Sequence, residues 1–328
     1  MHDSKLNPSK LDCIIEIAYK PLKEKGEDAF SYSFESQSLH GQAVFDGCGG
    51  SGSWKYSEFK DATGAFVASH HMSKAFLDWF STVDPDKCQR NQGIRESFQE
   101  MAWHELNKLK NQCAPMRVSG SLVKSFPCTA SIALMTACEN YLAVTALNCG
   151  DSRVYFLTPQ TGLVQLTVDD AEGNPDPMES LRDSAPMTDQ LNGDKKFDVK
   201  ARYVALTYPC TVICATDGMF GYLRSPMDFE YLILDELMRA DSFAQFEQSF
   251  QNKIATVTGD DSTCIMSFYG WGTLENVKRR LKKRHECVSE IIRSLDASMA
   301  TDTLYSELER VWREYRTQTL FDEMQVQT

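Results

Sequence analysis

What this sequence lacks narrows it before any motif is read. It has no run of eighteen apolar residues, which argues against a membrane-spanning helix, and residues 1–20 lack the basic, apolar and small-residue blocks of a secretory signal. Basic residues are short: 34 Lys and Arg against 46 Asp and Glu give a net charge of −12, which would repel a phosphate backbone and makes nucleic acid an unsuitable partner. No C-x-x-C pair occurs, and the eleven cysteines are odd in number and scattered through apolar neighbourhoods such as Cys138, Cys214 and Cys264. They read as reduced, buried thiols, which suits a cytoplasmic location. There is no internal repeat or low-complexity tract. What is present, 42% hydrophobic and 24% charged residues in 328, is enough for one large soluble domain with a small appendage.

Periodicity places short strands at Asp12–Tyr19 and His40–Phe45 and helices at Gly64–Phe80 and Gln92–Asn111. Strands are then expected at Thr129–Ala137, Tyr141–Asn148, Arg153–Leu157 and Leu163–Thr167, with connections short enough to favour an antiparallel meander. Residues 168–199 are rich in Asp, Pro, Asn and Ser without a period and read as a long surface flap. A strand at Cys210–Thr216, helices at Met227–Arg239 and Ser242–Val257 and a strand at Ser262–Tyr269 complete an α+β pattern.

Beyond Trp271 the chain becomes charged helix. Leu274, Leu281, Val288 and Leu295 recur every seven residues, a seam interrupted by Arg284, and Leu304, Leu308, Val311, Trp312 and Tyr315 share one face of a second helix. The expected division is residues 1–271 as the main domain and 272–328 as a helical extension, packed on its own domain in preference to forming a dimer or binding a partner protein.

Strand Gln42–Phe45 runs into Asp46-Gly47-Cys48-Gly49-Gly50-Ser51-Gly52. The glycines formally fit G-x-G-x-x-G, but a dinucleotide loop needs an immediate helix and an acidic residue closing a second strand, whereas Ser53–Thr63 is polar and irregular, and Asp46 would repel a pyrophosphate. A P-loop fails because Ser53 stands at its Lys position. A carboxylate at a strand end followed by glycines suits a hard cation with a main-chain carbonyl among its ligands. Asp217 follows an apolar strand, Asp260 and Asp261 precede one, and Asp151 follows another. Each alone reads as a turn residue; together, at the ends of buried strands, they call for a compensating cation such as Mg2+ or Mn2+.

In order along the chain stand Glu27-Asp28-Ala29, Val44-Phe45-Asp46-Gly47-x-Gly49-Gly50, Asn148-Cys149-Gly150-Asp151-Ser152-Arg153, Leu166-Thr167-x-Asp169, Ala215-Thr216-Asp217-Gly218 and Asp260-Asp261-x-Thr263. This series, over about Cys13 to Tyr269, resembles the motif series of the metal-dependent protein phosphatase 2C family, in a divergent, bacterial-like form. The resemblance implies two stacked antiparallel sheets flanked by helix pairs, an αββα sandwich, and hydrolysis of phosphoserine or phosphothreonine in a phosphoprotein substrate. It further implies a dinuclear Mn2+ or Mg2+ centre: Asp46 bridging the two ions, Glu27 and the Gly47 carbonyl on one, Asp217 and Asp260 on the other, with Asp151 either a further ligand or a turn residue. Two such ions lower the pKa of a bound water and stabilise an in-line displacement.

Four positions depart from the family pattern. Cys48 stands where many members carry a leaving-group acid His, and Lys23 where a phosphate-binding Arg is usual, keeping the charge without the bidentate fork. Gly221 replaces an additional metal-site Asp, which argues against a third ion, and Asp170 replaces a His of the Leu-Thr-x-Asp motif. The competing readings are a pseudophosphatase used as a binding or regulatory module and a hydrolase of small phosphate esters.

Overall fold

The computed structural model describes residues 10–21, 26–29, 32–36, 38–89, 93–114, 123–173, 176–181, 186–295 and 301–316. Two five-stranded antiparallel sheets dominate. In the first, β1 (Leu11–Tyr19), β12 (Ser262–Tyr269), β11 (Cys210–Ala215), β8 (Arg153–Thr158) and β9 (Gly162–Gln165) lie side by side in that order. The second runs β10 (Lys200–Thr207), β7 (Tyr141–Cys149), β6 (Ala130–Ala137), β3 (Leu39–Val44) and β2 (Tyr32–Ser36). A small ribbon pairs β4 (Lys55–Tyr56) with β5 (Ala62–Thr63). Helices α1 (Gly49–Gly52), α2 (Gly64–Phe80), α3 (Pro85–Gln89) and α4 (Ile94–Gln112) fall between β3 and β6 in the chain. Later come α5 (Pro177–Ser180), α6 (Pro226–Arg239), α7 (Phe243–Val257), α8 (Leu274–Ser294) and α9 (Thr301–Tyr315).

Strand alternation divides the core into three layers. In β6, Ile132 and Leu134 face α2 and α4 in one cluster with Phe76 and Leu106, while Ala133 and Met135 join Val212, Cys214 and Ile265 between the sheets. In β12, Cys264 and Met266 turn outward to Phe229, Phe246 and Phe250 of α6 and α7. A strand buried on both faces therefore reads as continuously apolar, yet its two-residue period still assigns each side chain to one layer. This is the αββα sandwich that the motif series implies.

The expected meander is corrected. β6 and β7 pair, and β8 and β9 pair, but β7 and β8 lie in different sheets. The turn Gly150–Ser152 carries the chain from one sheet to the other, and Gly150 adopts the left-handed region at φ 100° to do so. The sequence reading also omits β10, an edge strand whose residues are mostly part-exposed and so lack an apolar signature. The flap expected over 168–199 carries one turn of helix, α5, capped by Asp176 Oδ1 at 2.8 Å from Met178 N and 3.0 Å from Glu179 N.

The C-terminal seam packs on the sandwich. Val277, Leu281, Val288 and Leu295 join the α6 and α7 cluster, as do Leu308, Trp312 and Tyr315 of α9; residues 296–300 and 317–328 of the extension lie outside the described residues. Arg284, which interrupts the heptads, has a specific partner. It forks onto the buried Glu230 of α6 (Nε to Oε1 2.6 Å, Nη2 to Oε2 2.7 Å), and Tyr315 also donates its hydroxyl to Glu230. Gly162, at φ 72°, passes beside this pair, and a Cβ there would lie 2.2 Å from both Arg284 Nε and Glu230 Oε1. The second oxygen of Asp176 accepts from Trp312 Nε1 at 3.0 Å and Arg316 Nη1 at 2.9 Å, so α9 is tied to the flap.

Removing one partner of a buried pair leaves an uncompensated charge. Arg284→Ala is therefore expected to destabilise the protein by about 3–5 kcal/mol in urea denaturation, and a loss below about 1 kcal/mol would show that the pair contributes little.

Candidate metal centre

The strand ends converge. β3 leads into Asp46, β7 into Asp151, β11 into Asp217, and Asp260 and Asp261 lead into β12, so both sheets deliver carboxylates to one edge of the sandwich. Glu27, Asp46, Asp151, Asp217, Asp260 and Asp261 all line a single cleft of about 860 Å3, together with Gly47 and Cys48. Lys23 lies outside the described residues.

Backbone contacts fix the floor. Gly47 N–H donates to the Glu27 carbonyl at 3.2 Å, Ala29 N–H to the Phe45 carbonyl at 2.9 Å and Thr129 N–H to the Asp46 carbonyl at 2.7 Å. A Cβ on Gly47 would lie 2.6 Å from the Ala65 carbonyl oxygen and 2.9 Å from that of Glu27, so only glycine allows this approach. Glu27 N–H donates to the Asp261 carboxylate, drawing the Glu27 segment onto the start of β12. The Glu27 side chain accepts from Thr63 Oγ1 at 2.6 Å. Asp217 opens a tight turn that Gly221 N–H closes onto the Asp217 carbonyl at 2.6 Å.

Asp28 is a site residue to which the sequence reading gives no role. It is fully buried; its Oδ2 accepts from Thr216 Oγ1 at 2.9 Å and Thr263 Oγ1 at 2.7 Å, and its carboxyl lies against that of Asp46. Its place between Glu27 and the apolar Ala29, with no water-facing partner in the pattern, was the available signal. Asp28 Oδ1 and Asp151 Oδ1 are buried without a hydrogen-bond partner. Burial, then the neighbouring carboxylates, hold Asp46 well above the usual carboxylate range. Burial raises Asp28 and Asp217 to about 6, and burial together with Asp217 raises Asp151 to about 8. Burial and the charges of Asp46 and Asp151 push the Cys48 thiol well above its ordinary value.

Other motif residues serve the frame. Arg153 forks onto Asp169 (Nη2 to Oδ2 2.7 Å) and stacks over Phe220, while Thr167 Oγ1 accepts from Val154 N–H at 3.0 Å. Asp170, the departure from His, accepts from Gly150 N–H at 2.8 Å and pairs with Lys200 at 2.6 Å, which secures the turn before Asp151. Asp260 Oδ1 accepts from Asp261 N–H at 2.8 Å, the ordinary contact of a turn aspartate.

Among the described residues, no three His, Cys, Asp or Glu side chains already converge as a coordination shell. The donor set nevertheless fits a hard cation: it is all oxygen, and two carboxylates in contact with unsatisfied buried oxygens require a proton or a positive ion between them.

No family model and no curated protein matches this sequence. Solved structures do. The chain resembles the serine/threonine phosphatase Stp1 from Staphylococcus aureus with a TM-score of 0.59 and 15% identity over 82% of this chain and 99% of that one. The PPM Ser-Thr phosphatase MsPP from Mycobacterium smegmatis gives 0.53 and 16% over 79% and 98%. The catalytic domain of the serine threonine protein phosphatase PstP, solved in complex with two manganese ions, gives 0.51 and 13% over 78% and 97%. At these identities the likeness establishes a fold.

A carboxyl whose folded pKa is raised stabilises the folded state at low pH, and that contribution is lost as pH rises through the folded value. In chelator, the melting temperature is expected to fall between pH 5 and 8, and Asp151→Asn to flatten the fall. Equal pH slopes for the two proteins would show that Asp151 does not titrate there.

Proposed function

We propose that this chain, which has the fold of the bacterial PPM phosphatases, hydrolyses phosphoserine and phosphothreonine esters in proteins with divalent cations held by its acidic cleft. The observation that carries this reading is the meeting of Asp28, Asp46, Asp151 and Asp217, from both sheets, with buried oxygens that lack donors. A scaffold used only for binding gains nothing from carboxylates that repel one another. Mn2+ or Mg2+ would be held by Asp46, Glu27, the Gly47 carbonyl, Asp217 and Asp260, with Asp151 within reach of the same cleft. Cations bound there would lower the pKa of water, so that a nucleophile for phosphorus is available near neutral pH, and would neutralise phosphoryl charge.

The protein's own groups then have separate tasks. Asp46 is held by its backbone contacts to Thr129 and by the fixed neighbour Asp28. Thr216 and Thr263 hold Asp28 in turn. Cys48 keeps its proton in the metal-free cleft and, as a weak donor, gives little help to an alkoxide leaving group. Residues 1–271 serve as the catalytic unit, and the described helices α8 and α9 of the 272–328 extension as a buttress on α6.

The test is hydrolysis of an aryl phosphate and a phosphothreonine peptide with Mn2+, Mg2+ or chelator. Asp46→Asn is expected to fall to the rate seen in chelator while melting cooperatively. Equal rates in wild type and Asp46→Asn would sink the reading, and a wild type inert with both metals would favour the binding module. A phenolate leaves without a proton far more readily than an alkoxide, so aryl phosphates should be preferred. Cys48→His should raise the phosphothreonine rate, by up to about a hundredfold if the imidazole is well placed, and the aryl rate much less. If the two rates rise equally, protonation is not controlled from this position.

A further inference from the structure

The cleft has a charge problem that its carboxylates and cations do not resolve. Six lining residues are carboxylic acids, and two divalent ions would leave two negative charges facing a phosphoryl dianion. A substrate of that charge needs a positive group from the protein. Two basic side chains near the site are committed elsewhere. Lys20 Nζ donates to the Asp28 carbonyl at 2.7 Å, and Arg153 is buried and forked onto Asp169.

Among the described residues that line the cleft, one basic side chain remains, Lys124. Its backbone is fixed. Lys124 N–H donates to the Ser51 carbonyl at 3.0 Å, which pins it to the glycine turn that begins at Asp46. The next residue, Ser125, is held by Asp194 through its N–H at 2.6 Å and its hydroxyl at 2.9 Å, and Asp194 is itself paired with Lys110 at 2.8 Å. The ammonium, by contrast, has no ion-pair or hydrogen-bond partner among the described residues. It is a positioned cation with its donors unspent, at the mouth of an acidic cleft.

The geometry points to Lys124 as the group that anchors the substrate's phosphoryl oxygens, an assignment that rests on the hydrolytic reading above. The ammonium is a compact point charge with three rotatable donors, so it binds a phosphate dianion without dictating its orientation. Anchoring the phosphoryl equally in ground and transition states lowers KM and leaves kcat little changed. The free phosphate product carries the same charge and should use the same contact.

Wild type, K124M and K124R are compared with Mn2+ present by two measurements: steady-state hydrolysis of an aryl phosphate, and calorimetric titration with inorganic phosphate. Losing a charge-assisted hydrogen bond is expected to raise both KM and the phosphate Kd about tenfold or more in K124M. The kcat should change far less, and K124R should recover most of the affinity. Thermal melts check folding, and K124Q gives a second neutral variant should K124M fail to fold. Phosphate affinity equal in wild type and the folded neutral variant, or a loss confined to kcat, overturns the assignment. The titration needs no turnover, so the two readings separate. A wild type that binds phosphate more tightly than K124M without hydrolysing the ester sinks the activity and leaves the phosphate contact standing.

Discussion

Four carboxyl groups gathered at one edge of the sandwich, Asp28 buried and Asp46, Asp151 and Asp217 half-buried, cannot all be charged in one place without help, and much of this structure is arranged around that constraint. Asp28 and Asp46 are in contact, Asp217 stands close enough to raise Asp151, and each comes from a separate stretch of chain. Folding brings them together against their repulsion. The cost is borne by the apolar layers on either side and between the sheets, where burial of Phe76, Phe229, Phe246, Val212 and Ile265 provides the driving force. The polar frame then sets distance: Thr216 and Thr263 on Asp28, Asp170 on the Gly150 turn, Asp261 on the Glu27 backbone. A cation relieves the repulsion and makes use of the frame.

Much of this was legible in the residues. Asp46, Asp151, Asp217 and Asp260 could be singled out because each borders an apolar strand, and all four do line one cleft. Helix Gly64–Phe80 and strand Ser262–Tyr269 have the boundaries their periodicity gives. What periodicity cannot carry is which strand neighbours which. The move from β7 to β8 looks like a short hairpin in the sequence, yet it changes sheets, because a two-residue alternation says which faces are buried and nothing about the partner. β10 was hidden for a different reason: an edge strand with mixed polar residues resembles a loop.

The same limit applied to single residues. Arg284 looked like a flaw in a heptad until α6 supplied Glu230 from 54 positions away. Asp170 looked like an unexplained exchange until Gly150 N–H and Lys200 were seen against it. Lys124 had no motif around it at all, and only the fold shows that the cleft offers no other basic side chain among the described residues. Long-range partners of this kind leave no mark on local spacing.

Asp176 joins two parts of the chain that the sequence treats as unrelated. One of its oxygens caps α5 within the flap and the other receives Trp312 and Arg316 from α9, while Met187 and Gln190 of the same flap border the cleft. A carboxylate shared in this way acts as a mechanical linkage. If a ligand in the cleft favours one position of the flap, and that position strengthens or weakens the hold on α9, then whatever grips α9 must favour or oppose that ligand by the same factor.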